Sequence, residues 1–426
     1  MDNVIPSGEK FETHRGIPTF NHMENNRGNH TEFIALMAAL MSIVALALDA
    51  LLPALDIIGI AVGNSDPAAN QLLITLFFLG MGTGPLLFGP ISDSVGRKPV
   101  VYIGFAVFIG ASALCVFARS LEWMIVGRIL QGMSLSAPRT ISIAMIRDRF
   151  SGDYMARIMS FVTVVFILVP VVAPAFGKLV LDTLGWEAIF YLQVVFSLLV
   201  SLWFWRRQPE TLPRENRNTF RFNRIFSGFR EVLAYRRTML FTLIWGFITG
   251  SFLVYLSTSQ QIFEVQYRMP EMFPYLFAGL AITIGTATLI NGWLVVRFGM
   301  RRLITVSLVG FTLNSLCYAL LFANGNNPHM AFLMVFLALQ FFTVGFLFGN
   351  LRSMAMEPLG HIAGIGAAIT GFIATLMSVP ISAWIGSFVV TSALPLFQGF
   401  FICGALSLVL LTYSNYRMRR GRRLAR

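Results

Sequence analysis

Charged residues are scarce in this chain of 426 residues. Asp, Glu, Lys and Arg together make up 12% of it, whereas a soluble domain carries about 25%. Hydrophobic residues make up 56%, and the mean hydropathy is +0.71. This composition excludes a soluble globular protein and predicts a polytopic membrane protein.

Cysteine and histidine are also few, which argues against a metalloenzyme or a disulfide scaffold. The three cysteines lie singly in separate apolar runs, at Cys115, Cys317 and Cys403. The five histidines lie in the N-terminal tail or near the ends of apolar runs, at His14, His22, His30, His329 and His361. The sequence has no His, Asp or Glu cluster with metal-ligand spacing and no nucleophile–base set. We therefore expect no metal, no cofactor and no enzyme activity.

Apolar runs of about the 20 residues that cross a bilayer recur along the whole chain. They fall at 33–59, 70–91, 99–118, 121–146, 157–181, 188–205, 238–262, 273–298, 303–323, 329–356, 360–390 and 395–415. The pattern predicts an all-α fold with twelve transmembrane helices. Residues 1–30 are polar and lack the apolar core of a signal peptide, so we expect a disordered cytoplasmic tail there.

Positive charge is distributed unevenly over the segments between these runs. Of the 32 Lys and Arg residues, only three fall on the side opposite the termini, at Arg119, Lys178 and Arg268. The positive-inside rule then predicts that both termini are cytoplasmic. This topology explains the net charge of +12, and no nucleic-acid partner is expected.

A long basic segment divides the chain into two sets of six apolar runs. We expect a six-helix bundle over 31–205, a basic cytoplasmic linker over 206–237, a second bundle over 238–415 and a basic cytoplasmic tail over 416–426. Phe220–Leu233, within the linker, mixes apolar and basic residues as an amphipathic surface helix does. The halves repeat weakly, since Gly89 and Gly96 in the first correspond to Gly292 and Gly299 in the second. Such repeats are typical of secondary transporters, whose substrate site lies between the halves; a chance echo of loop glycines is the alternative.

The fourth apolar run contains two arginines. Arg128 and Arg139 are eleven residues apart, which places them on nearly the same helix face about three turns apart. A charge at membrane depth needs a partner or a watery cavity, so this face, with Gly132 and Ser136 nearby, is predicted to line the inside of the bundle. The alternative is that either arginine lies near the interface and its side chain reaches water.

Asp49 is the acid that the sequence places deepest in the membrane. Counted along helices, its depth in the first run roughly matches that of Arg128 in the fourth. Burial disfavours a charged carboxylate and a nearby arginine favours it, and these opposed effects suit a site that gains and loses a proton. Asp56 lies on nearly the same face, either as a second proton or cation site or as a helix-end acid in water.

Gly89, Asp93, Gly96, Arg97 and Lys98 follow the second apolar run. A small residue such as Gly89 permits close helix contact, and Asp93 is expected to pair with a nearby arginine. Together with Arg147 and Asp148, this set is predicted to form a latch that exists in one conformation only. A solvated turn with ordinary cytoplasmic charges is the alternative.

Two further groups of residues are candidates for function. Pro170 and Pro174 remove two backbone donors within the fifth run and predict a bend there. The second half contains candidates for a large apolar pocket with few polar anchors, namely Trp245, Tyr255, Phe341, Phe342 and Asn350. Helix packing or lipid contact is the alternative for each of them.

Four stretches of the sequence carry motifs of a known family. They are Gly89-x-x-x-Asp93-x-x-Gly96-Arg97-Lys98; Arg128-x-x-Gln131-Gly132 with Met145-Ile-Arg147-Asp148-Arg149; Val169-Pro170-x-x-Ala173-Pro174-x-x-Gly177; and Leu48-Asp49-Ala-Leu-Leu-Pro53. The first two resemble signatures of the major facilitator superfamily. The last two resemble the fifth-span and first-span motifs of its drug:proton antiporters of the bicyclomycin/chloramphenicol-resistance type. The chain departs from these motifs at Leu51, Asp56, Val169, Ala173 and Lys178.

The resemblance implies two pseudo-symmetric six-helix bundles that export drugs or other amphipathic small molecules by proton-coupled antiport. It also implies a bacterial inner membrane, a monomer, and small molecules, protons and lipid as partners. A major facilitator symporter or facilitator for a small metabolite is the alternative, against which Asp49 and the fifth-span motif argue. A receptor or scaffold would not need Asp49 and Arg128 to be buried.

Overall fold

The computed structural model describes residues 27–217, 219 and 222–424, and these residues are almost entirely helical. Twelve helices of 20 residues or more follow one another along them. They are α1 Arg27–Asp49, α2 Leu72–Val95, α3 Arg97–Val116, α4 Leu121–Arg149, α5 Gly152–Leu184, α6 Trp186–Arg207, α7 Arg236–Gln260, α8 Phe273–Phe298, α9 Met300–Leu321, α10 Met330–Met356, α11 Ala363–Gly386 and α12 Leu394–Leu424. The predicted all-α fold with twelve transmembrane helices is confirmed.

Length and apolar composition alone identify nine membrane-crossing helical stretches among the described residues, one of which runs from Met330 to Gly386 through both α10 and α11. α4 and α5 are not among the nine. In α4, two arginines, Gln131 and several serines lower the mean hydropathy. This is the helix that the sequence marked for its polar stripe.

α1 begins at Arg27, so it includes the last four residues of the segment that the sequence predicted to be a disordered tail. Residues 1–26, the rest of that predicted tail, lie outside the described residues. Within the linker, a helix runs over Phe222–Ala234 and packs on α11 and the segment before it through Val232, Phe229 and Leu359. Phe220, where the expected amphipathic helix begins, is not described.

The first membrane span is a broken helix, and Pro53 explains where it breaks. Proline lacks the N–H that would bond to the carbonyl four residues earlier, and its ring clashes with that carbonyl. The residue four positions before Pro53 is Asp49, where α1 ends. The chain then continues through a single 3₁₀ turn, Leu52–Ala54, into a short helix, Leu55–Ala61.

Glycines allow α2 and α4 to pack with their backbones in contact. A Cβ atom added to Gly80 would overlap the carbonyl oxygen of Ile129, and one added to Gly132 would overlap that of Phe77. Gly89 behaves differently, because a Cβ atom added there would meet no atom within 4 Å. The interpretation of Gly89 as a close-contact residue is therefore wrong for this conformation, whereas Gly132 of the fourth-span motif has that role.

The weak internal repeat corresponds to the same local structure in both halves. Gly96 ends α2 and precedes α3 with a φ of 110°, and Gly299 ends α8 and precedes α9 with a φ of 78°. A positive φ of this size favours glycine over every other residue. Each glycine reverses the chain between two antiparallel spans on the side that holds most of the Lys and Arg residues.

We call this side the basic side and the other membrane side the opposite side. Packing between the halves is carried by α2 with α11 and by α5 with α8. The described hydrogen bonds and ion pairs that join the halves lie toward the opposite side and include Gln71 with Gln261 at 2.7 Å and Thr75 with Ser382 at 3.3 Å. Among the described residues, α4 and α10 share at most slight packing contact. The halves are therefore joined mainly on the opposite side, and we call the basic-side space between α4 and α10 the cleft.

Candidate functional site

Asp49 lies where the broken first span turns, and only 3% of its surface is exposed. The structure gives its side chain no hydrogen bond or ion pair within the described residues, although Tyr255 of α7 lies within electrostatic range. The last carbonyls of a helix carry partial negative charge, and Asp49 is the last residue of α1. A charged carboxylate is costly in such a place, and binding a proton removes the cost.

Tyr255 brings the second half of the protein to this acid. Its hydroxyl is buried and has no hydrogen-bond partner among the described residues. Its ring packs edge-on against Phe341, with 4.5 Å between centroids, and stacks on Phe277 at 5.9 Å. An unpartnered buried hydroxyl is unfavourable, so a small movement that brings Tyr255 to Asp49 would satisfy both groups.

Arg128 is completely buried in the first half and does not contact Asp49. Its Nη1 donates to the carbonyl of Ala47 at 3.1 Å and to the side-chain oxygen of Gln131 at 2.7 Å, and its Nε donates to the carbonyl of Leu73 at 3.1 Å. The guanidinium also lies 4.5 Å from the ring centre of Phe77. The Ala47 carbonyl is near the end of α1, where carbonyls lack helical partners. The described contacts of Arg128 therefore do not include Asp49, and Arg128 joins α1 and α2 to α4.

One donor of Arg128 remains unused. Its Nη2 is buried and makes no hydrogen bond among the described residues. Gln131 is held in turn by Ser112, to which its amide donates at 2.8 Å. The fourth-span motif therefore forms a polar chain from Ser112 through Gln131 and Arg128 to the carbonyl of Ala47, two residues before Asp49.

The fifth-span motif lies against the break in the first span. A Cβ atom at Gly177 would overlap the backbone of Ala50, including its carbonyl oxygen. Pro174 and Pro170 lie about one and two turns, respectively, before Gly177 in a helix that continues through both. The motif thus places α5 in backbone contact with the residue that follows Asp49.

On the basic side, Arg97 forms the centre of the predicted latch. It bonds across the α2–α3 turn to Asp93 of α2 and also to Asp148 of α4, with 3.0 Å from Nε to Oδ2 of Asp148. Lys98 reaches the carbonyl of Trp205, and Arg149 lies over the ring of Phe33 at 5.0 Å. The structure therefore selects Arg97 as the partner of Asp93 and joins α2, α3 and α4 within the first half.

Glu210 completes this cluster, and the sequence analysis missed it. Its carboxylate accepts the backbone N–H groups of Arg97 and Lys98, both at 3.0 Å, which are the first free donors of α3. Burial by itself raises the pKa of Glu210, but these and two neighbouring backbone N–H groups stabilise the charged form, and the pKa lies below its usual value. The sequence signal for this role is that Glu210 lies three residues after the end of α6, in a linker where basic residues outnumber acids.

A second acid that the sequence analysis missed is Glu264. It lies among the polar contacts that join the two halves on the opposite side, which we call the seal. The amide of Gln260 donates to Asp56 of the first half at 3.2 Å and to Glu264 at 2.8 Å, so one side chain holds two carboxylates. Glu264 belongs to a π-helical extension of α7, Gln261–Gln266, beyond the predicted end of the seventh span. Lys178 of the fifth span bonds to Glu271 across the same interface at 3.6 Å. Asp56 is therefore a contact between the halves in this conformation.

Of the remaining candidate residues, some lie near the cleft between the halves and others only pack helices together. Arg139 lies within electrostatic range of Arg352 of α10, and the guanidinium of Arg352 lies 6.0 Å from the ring of Trp245. Asn350 donates to Asn291 of α8 at 2.7 Å, which is a packing contact within the second half. Phe342 contacts Phe346 and is more exposed than Phe341. Trp245, Tyr255 and Phe341 thus remain pocket candidates, and packing explains Asn350.

The chain has relatives among bacterial resistance proteins. It is 28% identical to a bicyclomycin resistance protein homolog of Haemophilus influenzae over 83% of this chain and 89% of that protein. It is 26% identical to the multidrug resistance protein MdtL of Klebsiella pneumoniae over 89% of this chain and 95% of that protein. Among solved structures, the D-xylose-proton symporter matches with a TM-score of 0.69 at 15% identity over 90% of this chain and 96% of that one.

The model of the Major Facilitator Superfamily matches residues 34–382, from the first span into the eleventh. The match includes the α2–α3 turn, the fourth-span motif and the break at Asp49. Together with the twelve-helix fold, it shows that this chain is a multi-pass membrane transport protein that belongs to the Major Facilitator Superfamily.

Proposed function

We propose that this chain is a secondary active transporter that exports amphipathic small molecules by proton-coupled antiport. The observation that carries the proposal is Asp49, a buried carboxylate without a described hydrogen bond, at the break of a membrane helix. Discontinuous helices at the interface between repeats are where secondary transporters bind substrate and coupling ions. The similarity to proteins named for drug resistance supports export as the direction.

Proton binding at Asp49 changes which neighbouring groups can form a hydrogen bond with its carboxyl group. When Asp49 is charged, we propose that it moves to the unused Nη2 of Arg128, whose guanidinium already holds the carbonyl of Ala47, two residues away in the chain. When Asp49 is neutral, it no longer needs that donor, and the Tyr255 hydroxyl of the other half becomes a suitable partner. Protonation thus favours one arrangement of the halves over another, which is the requirement for shifting a conformational equilibrium.

Alternating access follows from the contacts between the halves. We propose that the basic side is cytoplasmic, so that the described conformation faces inward and binds substrate. Opening toward the other side requires the loss of the bonds from Gln260 to Asp56 and from Gln71 to Gln261. The Arg97 cluster belongs to one half, and we propose that its bonds to Asp93 and Asp148 change as α2, α3 and α4 move relative to the linker.

Proton release on substrate binding tests the coupling role of Asp49. Purified protein in weakly buffered detergent is mixed with a transported drug, and the released protons are measured with a pH dye. Asp49→Asn mimics the protonated form, so it should bind drug without releasing protons and should not export it in proteoliposomes. Asp66→Asn, which changes an exposed helix-capping acid, is the matched control. Equal proton release from the parent and Asp49→Asn would remove Asp49 from the mechanism.

Topology has a separate test. A reporter fused after Arg426 should behave as cytoplasmic, because the positive-inside rule places the basic side there. A periplasmic signal from this fusion would reverse the assignment of the two sides and the direction in which the described cleft faces.

A further inference from the structure

The basic-side part of the cleft contains arginines from both halves. Arg352 of α10 lies within electrostatic range of Arg139 and Arg147 of α4, and these two helices share at most slight packing contact among the described residues. Arg352 and Arg147 are both exposed. Arg352 of the second half thus shares the basic side of the interface with two positive charges of the first half.

The described acids next to these arginines are already engaged. Asp148, next to Arg147, bonds to Arg97, and Glu357, five residues after Arg352, bonds to Arg237 at 2.7 Å. The described ion pairs include neither Arg147 nor Arg352. The open part of the cleft is therefore electropositive, and like charges on the two halves repel each other across it.

An aromatic surface adjoins one of these charges. The guanidinium of Arg352 lies 6.0 Å from the ring centre of Trp245 on α7. Guanidinium groups bind carboxylates, sulfonates and phosphates through parallel hydrogen bonds. The adjacent ring offers an apolar surface to the rest of such a molecule.

We propose that the substrates are amphipathic organic anions, whose acidic group is bound by Arg352 and Arg147 and whose aromatic or apolar part lies on Trp245. This proposal rests on the proposed export function and names its substrate class. A bound anion screens the repulsion between α4 and α10 and so favours closure of the basic side, whereas the empty cleft stays open. Arg147 lies 19 residues along α4 from Arg128, about 28 Å, and Arg128 binds the carbonyl of Ala47 near Asp49, so proton and anion act through the conformation and do not compete for one position.

Exporting an anion is also consistent with the driving force. A membrane potential that is negative inside favours the exit of a negative charge and the entry of a proton. When a monovalent anion leaves and one proton enters, both movements carry positive charge inward in net terms, so the membrane potential drives both.

Binding of a matched pair of probes tests the proposal. The anion 2-naphthoate and the uncharged 2-naphthamide differ in charge and share their ring system. Equilibrium dialysis against the purified parent in neutral detergent, without any proton gradient, should show tighter binding of 2-naphthoate. Arg352→Gln should weaken that binding about tenfold, as expected for the loss of one charge-assisted interaction, and leave 2-naphthamide unchanged. Arg352→Lys should retain most of the affinity.

Arg302→Gln is the matched control. Arg302 also lies over an aromatic ring, 5.7 Å from the centre of Phe298, but it belongs to the start of α9. Its binding should equal that of the parent. Equal affinities of the parent for the two probes, or an equal loss in both glutamine variants, would overturn the proposal. A monodisperse elution profile for each variant excludes misfolding as the cause of a loss.

Anionic lipid headgroups share the chemistry of the proposed ligand, and a second arm distinguishes them. The same dialysis is repeated in nanodiscs of phosphatidylcholine alone and with phosphatidylglycerol added. Retained 2-naphthoate binding in both supports a substrate site, whereas its loss with phosphatidylglycerol would assign the arginines to lipid and overturn the proposal. If the parent binds 2-naphthoate selectively but releases no protons, only the proposed proton antiport is contradicted. The proposal of an anionic substrate and the proposal of proton antiport can therefore fail separately.

Discussion

At the scale of single residues, Arg128 shows how a charge is kept inside a membrane bundle without an acid in contact. Two backbone carbonyls and the Gln131 oxygen accept its hydrogen bonds, and the Phe77 ring covers its face. The planar fork makes these contacts from one rigid group, which the single ammonium of lysine cannot do. The positive charge is thus kept in the bundle by neutral acceptors, and Nη2 remains a donor without a partner among the described residues.

Arg128→Lys should therefore destabilise the protein and impair transport. The variant keeps the charge but loses at least one of the carbonyl bonds and the flat contact with Phe77, at a cost of about 2 kcal/mol. Thermal unfolding of the purified protein in detergent measures the change. Arg119→Lys, at an exposed position, is the control. Equal melting temperatures for the parent and Arg128→Lys would show that charge alone is required at this position.

Glu210 leads to a prediction about pH. Its folded-state pKa is lowered, so its stabilising effect is fully present above the unfolded-state pKa of about 4.3 and is lost as the pH falls through the lower folded-state pKa. Glu210→Gln should cost about 1 kcal/mol at neutral pH, as the loss of a helix cap does. The difference from the parent should disappear in acid.

Melting curves of the parent and the variant between pH 7 and pH 3 measure this effect. Glu215→Gln, at an exposed acid in the same linker, should differ little from the parent at any pH. A stability difference for Glu210→Gln that persists unchanged at pH 3 would contradict the assigned role of its charge.

At the scale of elements, the break in the first span depends on two neighbours. Pro53 ends α1 at Asp49, and Gly177 lets α5 pack directly on Ala50. We predict that Gly177→Ala pushes α5 away from the break and reduces transport strongly, because the added methyl meets backbone that cannot rotate aside. Gly279→Ala, whose Cβ would meet no atom within 4 Å, is the control in α8. Transport in proteoliposomes at equal protein content measures both, and equal rates would show that α1 and α5 separate easily.

Elements were also what the sequence predicted best. Long apolar runs identify the twelve helices because each must satisfy its own backbone in the bilayer, and the glycines at 96 and 299 mark turns that require a positive φ. Contacts between distant segments leave no such local pattern. Glu210 bonds to the start of α3, and Gln260 bonds to both Asp56 and Glu264. These bonds, and the bonds of Arg128 to two backbone carbonyls, depend on how the helices are arranged. For the same reason the sequence assigned close packing to Gly89 when Gly132 provides it.

At the scale of the whole molecule, the two halves meet along α2 with α11 and α5 with α8, and polar bonds close the opposite side. The linker between them is not a passive tether. Glu210 binds the α2–α3 turn of the first half, and the Phe222–Ala234 helix packs on the second half through Val232. Because the linker contacts both halves, we expect it to limit how far the basic side opens.

The last prediction concerns whether the seal must open during transport. Thr75 and Ser382 face each other across the halves with their hydroxyl oxygens 3.3 Å apart, so Thr75→Cys with Ser382→Cys should form a disulfide after the three native cysteines are replaced. The oxidised protein is fixed in the described conformation, so it should bind substrate but not transport it, and reduction should restore transport.

Asn291→Cys with Asn350→Cys is the matched control, because these side chains are 2.7 Å apart within the second half and need not separate as the halves move. Oxidation of this pair should leave transport close to its reduced rate. Undiminished transport by the oxidised Thr75–Ser382 pair would mean that substrate leaves without separation of α2 from α11, and the alternating-access mechanism would have to place its outer gate elsewhere.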